Sequence, residues 1–228
     1  MAIYVVPLVV IAVLSVLAVV LPWRWGGLPW GIVAGVLGGV LLVAELSWWA
    51  VLASRAFRGG WTAATGLPLE LCDVTAMVGA VALWWRRPIL VEVLWFWGIG
   101  GGLLAILTPE LPAGFPSWLF FQYYVVHGGI VVAPLLLSVG LRMWPRPGAF
   151  WRVALVTLGY ALCMGAVNIV TGGNYLWLRH PPTGASLLDL LGPWPWYLLW
   201  MAVVGFAMLI VLEAPFAIAR RRASRGMG

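Results

Sequence analysis

The chain has 228 residues, of which 64% are hydrophobic and 9% charged. Soluble domains carry roughly 25% charged residues, so this composition excludes a water-solvated globule and points to lipid. All 13 basic residues are arginine. Without lysine there is no amine for a retinal or pyridoxal Schiff base and no Walker A lysine. The net charge of +6 is spread between apolar runs, which excludes a nucleic-acid patch.

Seven apolar runs of about 20 residues predict membrane-spanning helices. They lie at roughly 3–22, 29–53, 67–85, 88–107, 117–140, 151–171 and 194–218. Pro22, the Arg86-Arg87-Pro88 corner, Pro109 with Pro112, and Pro145 with Pro147 separate them. Tryptophans such as Trp23, Trp25, Trp85, Trp118, Trp151 and Trp194 crowd the ends, as an interfacial belt does. The first run has no basic leader or cleavage signal and reads as a retained helix. Ser186 to Gly192 reads as a short helix resting on the bilayer.

The expected fold is an all-α, polytopic bundle of seven transmembrane helices, one integral membrane domain over 1–228. Arg24, Arg86, Arg87, Arg142, Arg146, Arg152, Arg220, Arg221, Arg222 and Arg225 fall on one side. Arg55, Arg58 and Arg179 fall on the other. Ten against three places the C-terminus in the cytoplasm and the N-terminus outside a cell membrane. Gly31, Gly35 and Gly39 share one face of the second span, which suits packing inside the bundle or a homodimer.

Ionisable and amide side chains in lipid are costly, so each is a functional candidate. Glu45, Glu70, Asp73, Gln122, His127 and Asn168 all fall in the outer half of their spans, with Asn174 and Tyr175 just beyond the sixth. Their convergence predicts a polar cavity opening outward; hydrogen bonds that only fix helix packing are the alternative. Glu92 and Glu213 lie in the inner half and are expected to pair with Arg87 or the tail arginines.

Within that cavity Cys72 is the available nucleophile and His127 the available base. Cys72 and Thr75 share one helix face, while Glu70 and Asp73 share another about 100° round. The expected helix starts give Cys72 and His127 a depth offset of ~7 Å at 1.5 Å per residue. Cys163, mid-span in the sixth run, reads as a small buried hydrophobe. No cofactor or metal is expected: two histidines cannot supply a three-histidine zinc site. Mixed ligation by Glu70, Asp73 and His127 is the minor alternative.

The ordered motifs carry a resemblance. They are Leu67-Pro-Leu-Glu-Leu-Cys-Asp73, Trp97-Gly-Ile-Gly-Gly-Gly102, Leu107-Thr-Pro-Glu-Leu111, Phe120-Phe-Gln-Tyr-Tyr-Val-Val-His-Gly-Gly129, and Gly173-Asn-Tyr-Leu176 with the 186–197 stretch. Together they resemble the YwaF-type integral membrane family. The chain is also similar to the vertebrate transmembrane phospholipid acyltransferase with a Cys/His site. The resemblance implies lipid acyl transfer or lipid hydrolysis, with Cys72 carrying the acyl group and His127 moving the proton. Gln122, Asn174 and Tyr175 would support the oxyanion, and Glu70, Asp73, Thr75 and Asn168 the surrounding site. Bacterial relatives often place His or Gln where this chain has Glu70, whose like charge opposes thiolate formation. Phospholipids or lysophospholipids are the implied partners. A non-catalytic lipid or small-molecule carrier, and a structural subunit of a membrane complex, are the rival readings.

Overall fold

A computed structural model of the chain describes residues 2–182 and 187–225. Among the described residues there are seven α-helices and no strand: α1 (Ala2–Arg24), α2 (Trp30–Phe57), α3 (Leu71–Trp85), α4 (Pro88–Leu107), α5 (Trp118–Pro134), α6 (Ala149–Thr171) and α7 (Trp196–Arg225). A π-helical turn, Leu135–Gly140, extends α5. Short 3₁₀ turns occupy Tyr175–Trp177 and Leu187–Leu191. The second falls within the predicted interfacial helix, whose first residue, Ser186, lies outside the described residues.

Six of the helices, with α5 counted through Gly140, are long and apolar enough to cross a membrane. The chain is a multi-pass membrane protein. The exception is α3, whose 15 residues span about 22 Å, short of a ~30 Å hydrocarbon core. The predicted third span is corrected here: the helix begins at Leu71, not at 67. The reason is tertiary. The Leu67 N–H is bonded to the Tyr175 hydroxyl at 3.0 Å, and the Leu69 carbonyl accepts the Tyr160 hydroxyl at 2.6 Å. Side chains distant in sequence thus hold this backbone outside the helix. Other boundaries follow local chemistry. The Ser117 hydroxyl accepts the Leu119 N–H and caps α5, while Gly172 (φ +75°) ends α6 in the left-handed conformation.

The chain forms two compact units. One comprises Met1–Val51 with Leu71–Arg146, and the other Leu52–Glu70 with Pro147–Gly228. The core of the first gathers Ala34 and Leu41 (α2), Ala76, Ala80 and Leu83 (α3), Leu94 (α4) and Ile130 and Ala133 (α5). Alanine is frequent there because helix association in lipid depends on close van der Waals packing rather than on expelling water. In the second unit Glu213 of α7 accepts the Phe150 N–H at 3.0 Å and pairs with Arg220 at 3.3 Å. That is the expected tail-arginine partner. The Tyr197 hydroxyl donates to the Trp177 carbonyl.

Two helix contacts are close enough to exclude even a Cβ, at Gly98 and at Gly140 against the Ala18 carbonyl. A Cβ on Gly98 of α4 would lie 2.2 Å from the Ile130 carbonyl oxygen of α5. Pro134, four residues on, lacks the N–H that would ordinarily bond that carbonyl. The Gly98 backbone lies against the vacated oxygen. Gly98→Ala is therefore expected to cost about 1–3 kcal/mol by overpacking against backbone that cannot swing aside. Gly39→Ala is the control, with nothing within 4 Å of the added carbon. A thermal melt in detergent that moves equally for both variants would refute this account.

Five arginines collect at one end of the first unit. Gly31 and Gly35 at the start of α2 lie against Arg86 and Trp84 at the end of α3. The Trp23 indole N–H donates to the Val139 carbonyl at 3.1 Å, and Arg142 sits over the Trp23 ring at 5.6 Å. Arg146 holds Glu92 through its backbone N–H (3.1 Å), Nε (2.8 Å) and Nη2 (3.3 Å). This corrects the expected Glu92–Arg87 pairing. The Pro145–Pro147 corner folds Arg146 back onto α4, a reach that sequence distance conceals.

Candidate functional site

The polar residues of the first unit lie away from its arginine end. Glu45 sits in the later part of α2, Cys72, Asp73 and Thr75 open α3, and Gln122 and His127 lie in the first half of α5. Contacts confirm the grouping: the Gln122 amide donates to the Ala44 carbonyl at 3.4 Å, and the Tyr123 hydroxyl to the Ala105 carbonyl of α4 at 2.8 Å.

His127 is the best-defined member. Its Nδ1 lies 2.8 Å from the Tyr123 carbonyl oxygen, one turn earlier on α5. A carbonyl can only accept, so Nδ1 carries the proton in the neutral ring, and Nε2 keeps the lone pair. The ring stacks on Tyr123, with centroids 4.0 Å apart. Tyr123 is tied in turn to α4. The imidazole is thus held in both tautomer and plane.

Cys72 is the second residue of α3 and half-buried, and its sulfur is not in a disulfide. It packs against the buried cluster that includes Val126 and Ile130 of α5. It also lies within electrostatic range of Tyr123, the residue that holds His127. The corrected start of α3 places Cys72 in the first turn, whereas His127 is the tenth residue of α5. Counted from the helix starts, their offset is therefore larger than the expected ~7 Å. Cys163 is exposed on α6, not buried as expected.

Glu45 has no exposed surface. One carboxylate oxygen accepts the Trp49 indole N–H at 2.9 Å, and Oε2 has no hydrogen-bond partner. Half-buried Asp73 is close enough to act on it electrostatically. Gln122 belongs with this pair rather than with His127, since five residues along a helix turn the side chain about 140°. Thr75 is buried and gives its hydroxyl to the Leu71 carbonyl at 2.6 Å.

The other predicted site residues belong to the second unit. Glu70 precedes α3 and is exposed, a correction to its expected place in the first turns of the helix. Asn168 is buried and clamps Tyr175 by both edges, Nδ2 to its carbonyl at 2.9 Å and Oδ1 from its N–H at 2.7 Å. The Tyr175 hydroxyl accepts from Leu67 N–H and donates to the Ala63 carbonyl at 2.8 Å. The Asn174 side chain bonds the Arg179 N–H at 2.9 Å and the His180 carbonyl at 2.8 Å. These three shape the loops. Among the described residues no three His, Cys, Asp or Glu side chains group as a metal site.

Two residues escaped the sequence reading. Tyr123 stands four residues before His127, the spacing that puts two rings on one helix face. Trp49 stands four after Glu45, one helical turn on, where its indole reaches the carboxylate.

A protein from Treponema pallidum (strain Nichols), described as uncharacterized, is 27% identical over 156 residues. That match covers 66% of this chain and 62% of the relative, so the chain spans under two thirds of that protein's length. No solved structure matches. The family profile described as the TMEM164 family matches residues 2–213, nearly the whole chain. The chain belongs to the TMEM164 family.

Proposed function

We propose that this protein is a membrane lipid acyltransferase or lipid hydrolase, with Cys72 as nucleophile and His127 as base. The observation that carries the reading is the Nδ1 contact of His127 with the Tyr123 carbonyl, which leaves Nε2 as a proton acceptor. The resemblance to the YwaF-type family and to the phospholipid acyltransferase also supports it. In the first half-reaction Nε2 takes the thiol proton and sulfur attacks the acyl ester carbonyl. The tetrahedral intermediate collapses to an acyl thioester, and His127 returns the proton to the departing lysolipid oxygen. In the second, His127 deprotonates a lysophospholipid hydroxyl or water, that oxygen attacks the thioester, and the thiol is restored. Gln122 serves by fastening α5 to α2. Purified protein given labelled phospholipid and lysophospholipid is expected to exchange acyl chains. Equal turnover by wild type, Cys72→Ala and His127→Ala ends the proposal.

A non-catalytic lipid or small-molecule binding protein is the second reading. The unbonded, fully buried Oε2 of Glu45 favours it, because such an oxygen is costly without a ligand partner. Ligand-dependent thermal stabilisation with no product, unchanged in Cys72→Ala, would select this reading.

The arginine-rich end of the first unit supports a cytoplasmic placement in a cell membrane, with the N-terminus outside and the C-terminus inside. An impermeant thiol reagent on intact cells should then label a cysteine added before Ile3 and spare one added after Arg222. The reverse pattern overturns the orientation.

A further inference from the structure

We infer that the α3–α4 corner is a binding site for the phosphate of an anionic phospholipid, separate from the acyl-transfer site. The corner bounds an open cavity of about 950 Å³, lined by Trp84, Trp85, Arg86, Arg87 and the first residues of α4. Two arginines therefore border one space. Other arginines at this end are engaged: Arg146 with Glu92, and Arg142 over Trp23. Arg86 and Arg87 have no carboxylate partner among the described residues. The Nε of Arg86 is buried without a hydrogen-bond partner, and a buried donor left unbonded calls for an acceptor.

The backbone repeats the message. Arg86 has φ +50°, in the left-handed region. Helices commonly end on glycine in that conformation. An arginine kept there, with its strain, is placed for its side chain. Its Nη2 reaches the start of α2, 3.5 Å from where a Gly31 Cβ would stand. The cavity walls suit a lipid. Trp85 is 72% exposed at the helix end, and the Trp84 indole N–H is anchored to the Gly35 carbonyl at 3.0 Å. Exposed indoles beside two uncompensated guanidiniums match the depth at which phosphate lies above acyl chains. The planar fork of arginine fits phosphate oxygens two at a time.

The test uses the full chain in nanodiscs of phosphatidylcholine alone, or of phosphatidylcholine mixed with phosphatidylglycerol. Lipid retained after detergent extraction is read by native mass spectrometry. Wild type is expected to retain phosphatidylglycerol over phosphatidylcholine. Arg86→Gly with Arg87→Gln should reduce that preference by about tenfold, the scale of one lost charge-assisted contact. Glycine accepts φ +50°, so the melting temperature in phosphatidylcholine should not fall, which separates lost binding from lost folding. Arg222→Gln on the tail should leave the preference intact. Equal retention of both lipids by wild type, or an unchanged preference in the double variant, overturns the site. Soluble glycerol phosphate stabilising the protein in phosphatidylcholine nanodiscs as well as phosphatidylglycerol does would overturn its assignment to lipid.

Discussion

Cys72→Ala and His127→Ala are each expected to lower acyl turnover by roughly 10²-fold or more, the range for losing a nucleophile or a positioned base. The expected split between them is informative. Cys72→Ala removes the covalent intermediate, so no acyl label should remain on the denatured protein. In His127→Ala the thiol survives, so slow labelling should persist and rise with pH as thiolate forms in bulk equilibrium. Tyr123→Phe should be mild by comparison. It keeps the backbone carbonyl that fixes Nδ1 and the ring that stacks on the imidazole, and loses only the bond to Ala105. Cys163→Ala, on an exposed face of α6, should leave turnover unchanged. A Cys163→Ala variant that loses activity while Cys72→Ala retains it would reverse the assignment.

Arg146→Ala is expected to be among the most destabilising single changes, at about 2–3 kcal/mol. Removing one partner from a buried ion pair typically costs 3–5 kcal/mol. Here the cost falls below that range because the Arg146 side chain is 49% exposed, and water can partly replace it. Glu92 is 1% exposed and would lose both of its guanidinium bonds. Arg146→Lys should recover only part of the loss, since a lysine cannot supply both the Nε and Nη2 bonds. Arg146→Met combined with Glu92→Leu should lie closer to wild type than Arg146→Ala, because no charge is stranded. Denaturation of the micelle-bound protein measures all three. A double variant less stable than Arg146→Ala would show that the pair contributes more than the relief of a buried charge.

Much of the fold was legible because lipid imposes a simple rule. Long apolar runs bounded by Pro and Trp became α1, α2, α4, α6 and α7 within a few residues at most ends. The misses share a cause. Leu67 to Glu70 is apolar enough to continue a helix, yet Tyr160 and Tyr175 claim its backbone from about 90 and 108 positions away. Glu92 found Arg146 rather than adjacent Arg87 for the same reason: a proline corner, not chain distance, sets who meets whom. At the site, residue type identified His127 and Cys72 as candidates. It could not reveal that Asn168, Asn174 and Tyr175 spend their hydrogen bonds on loop structure, or that Gln122 faces α2. Those facts depend on rotation about helix axes and on loop closure, and neither is written in a local pattern.

The Gly98 contact has a mechanical consequence. Where backbone meets backbone with no side chain between, there is no rotamer to turn and no soft layer to compress. Near Gly98, α4 and α5 therefore travel as one body, and His127 travels with them, its plane set by a tyrosine pinned to α4. A parting of helices that admits a long acyl chain has to open along another seam of the first unit. That contact thus serves as a fixed jaw, and under the proposed function the compliance for acyl-chain entry falls to seams away from it.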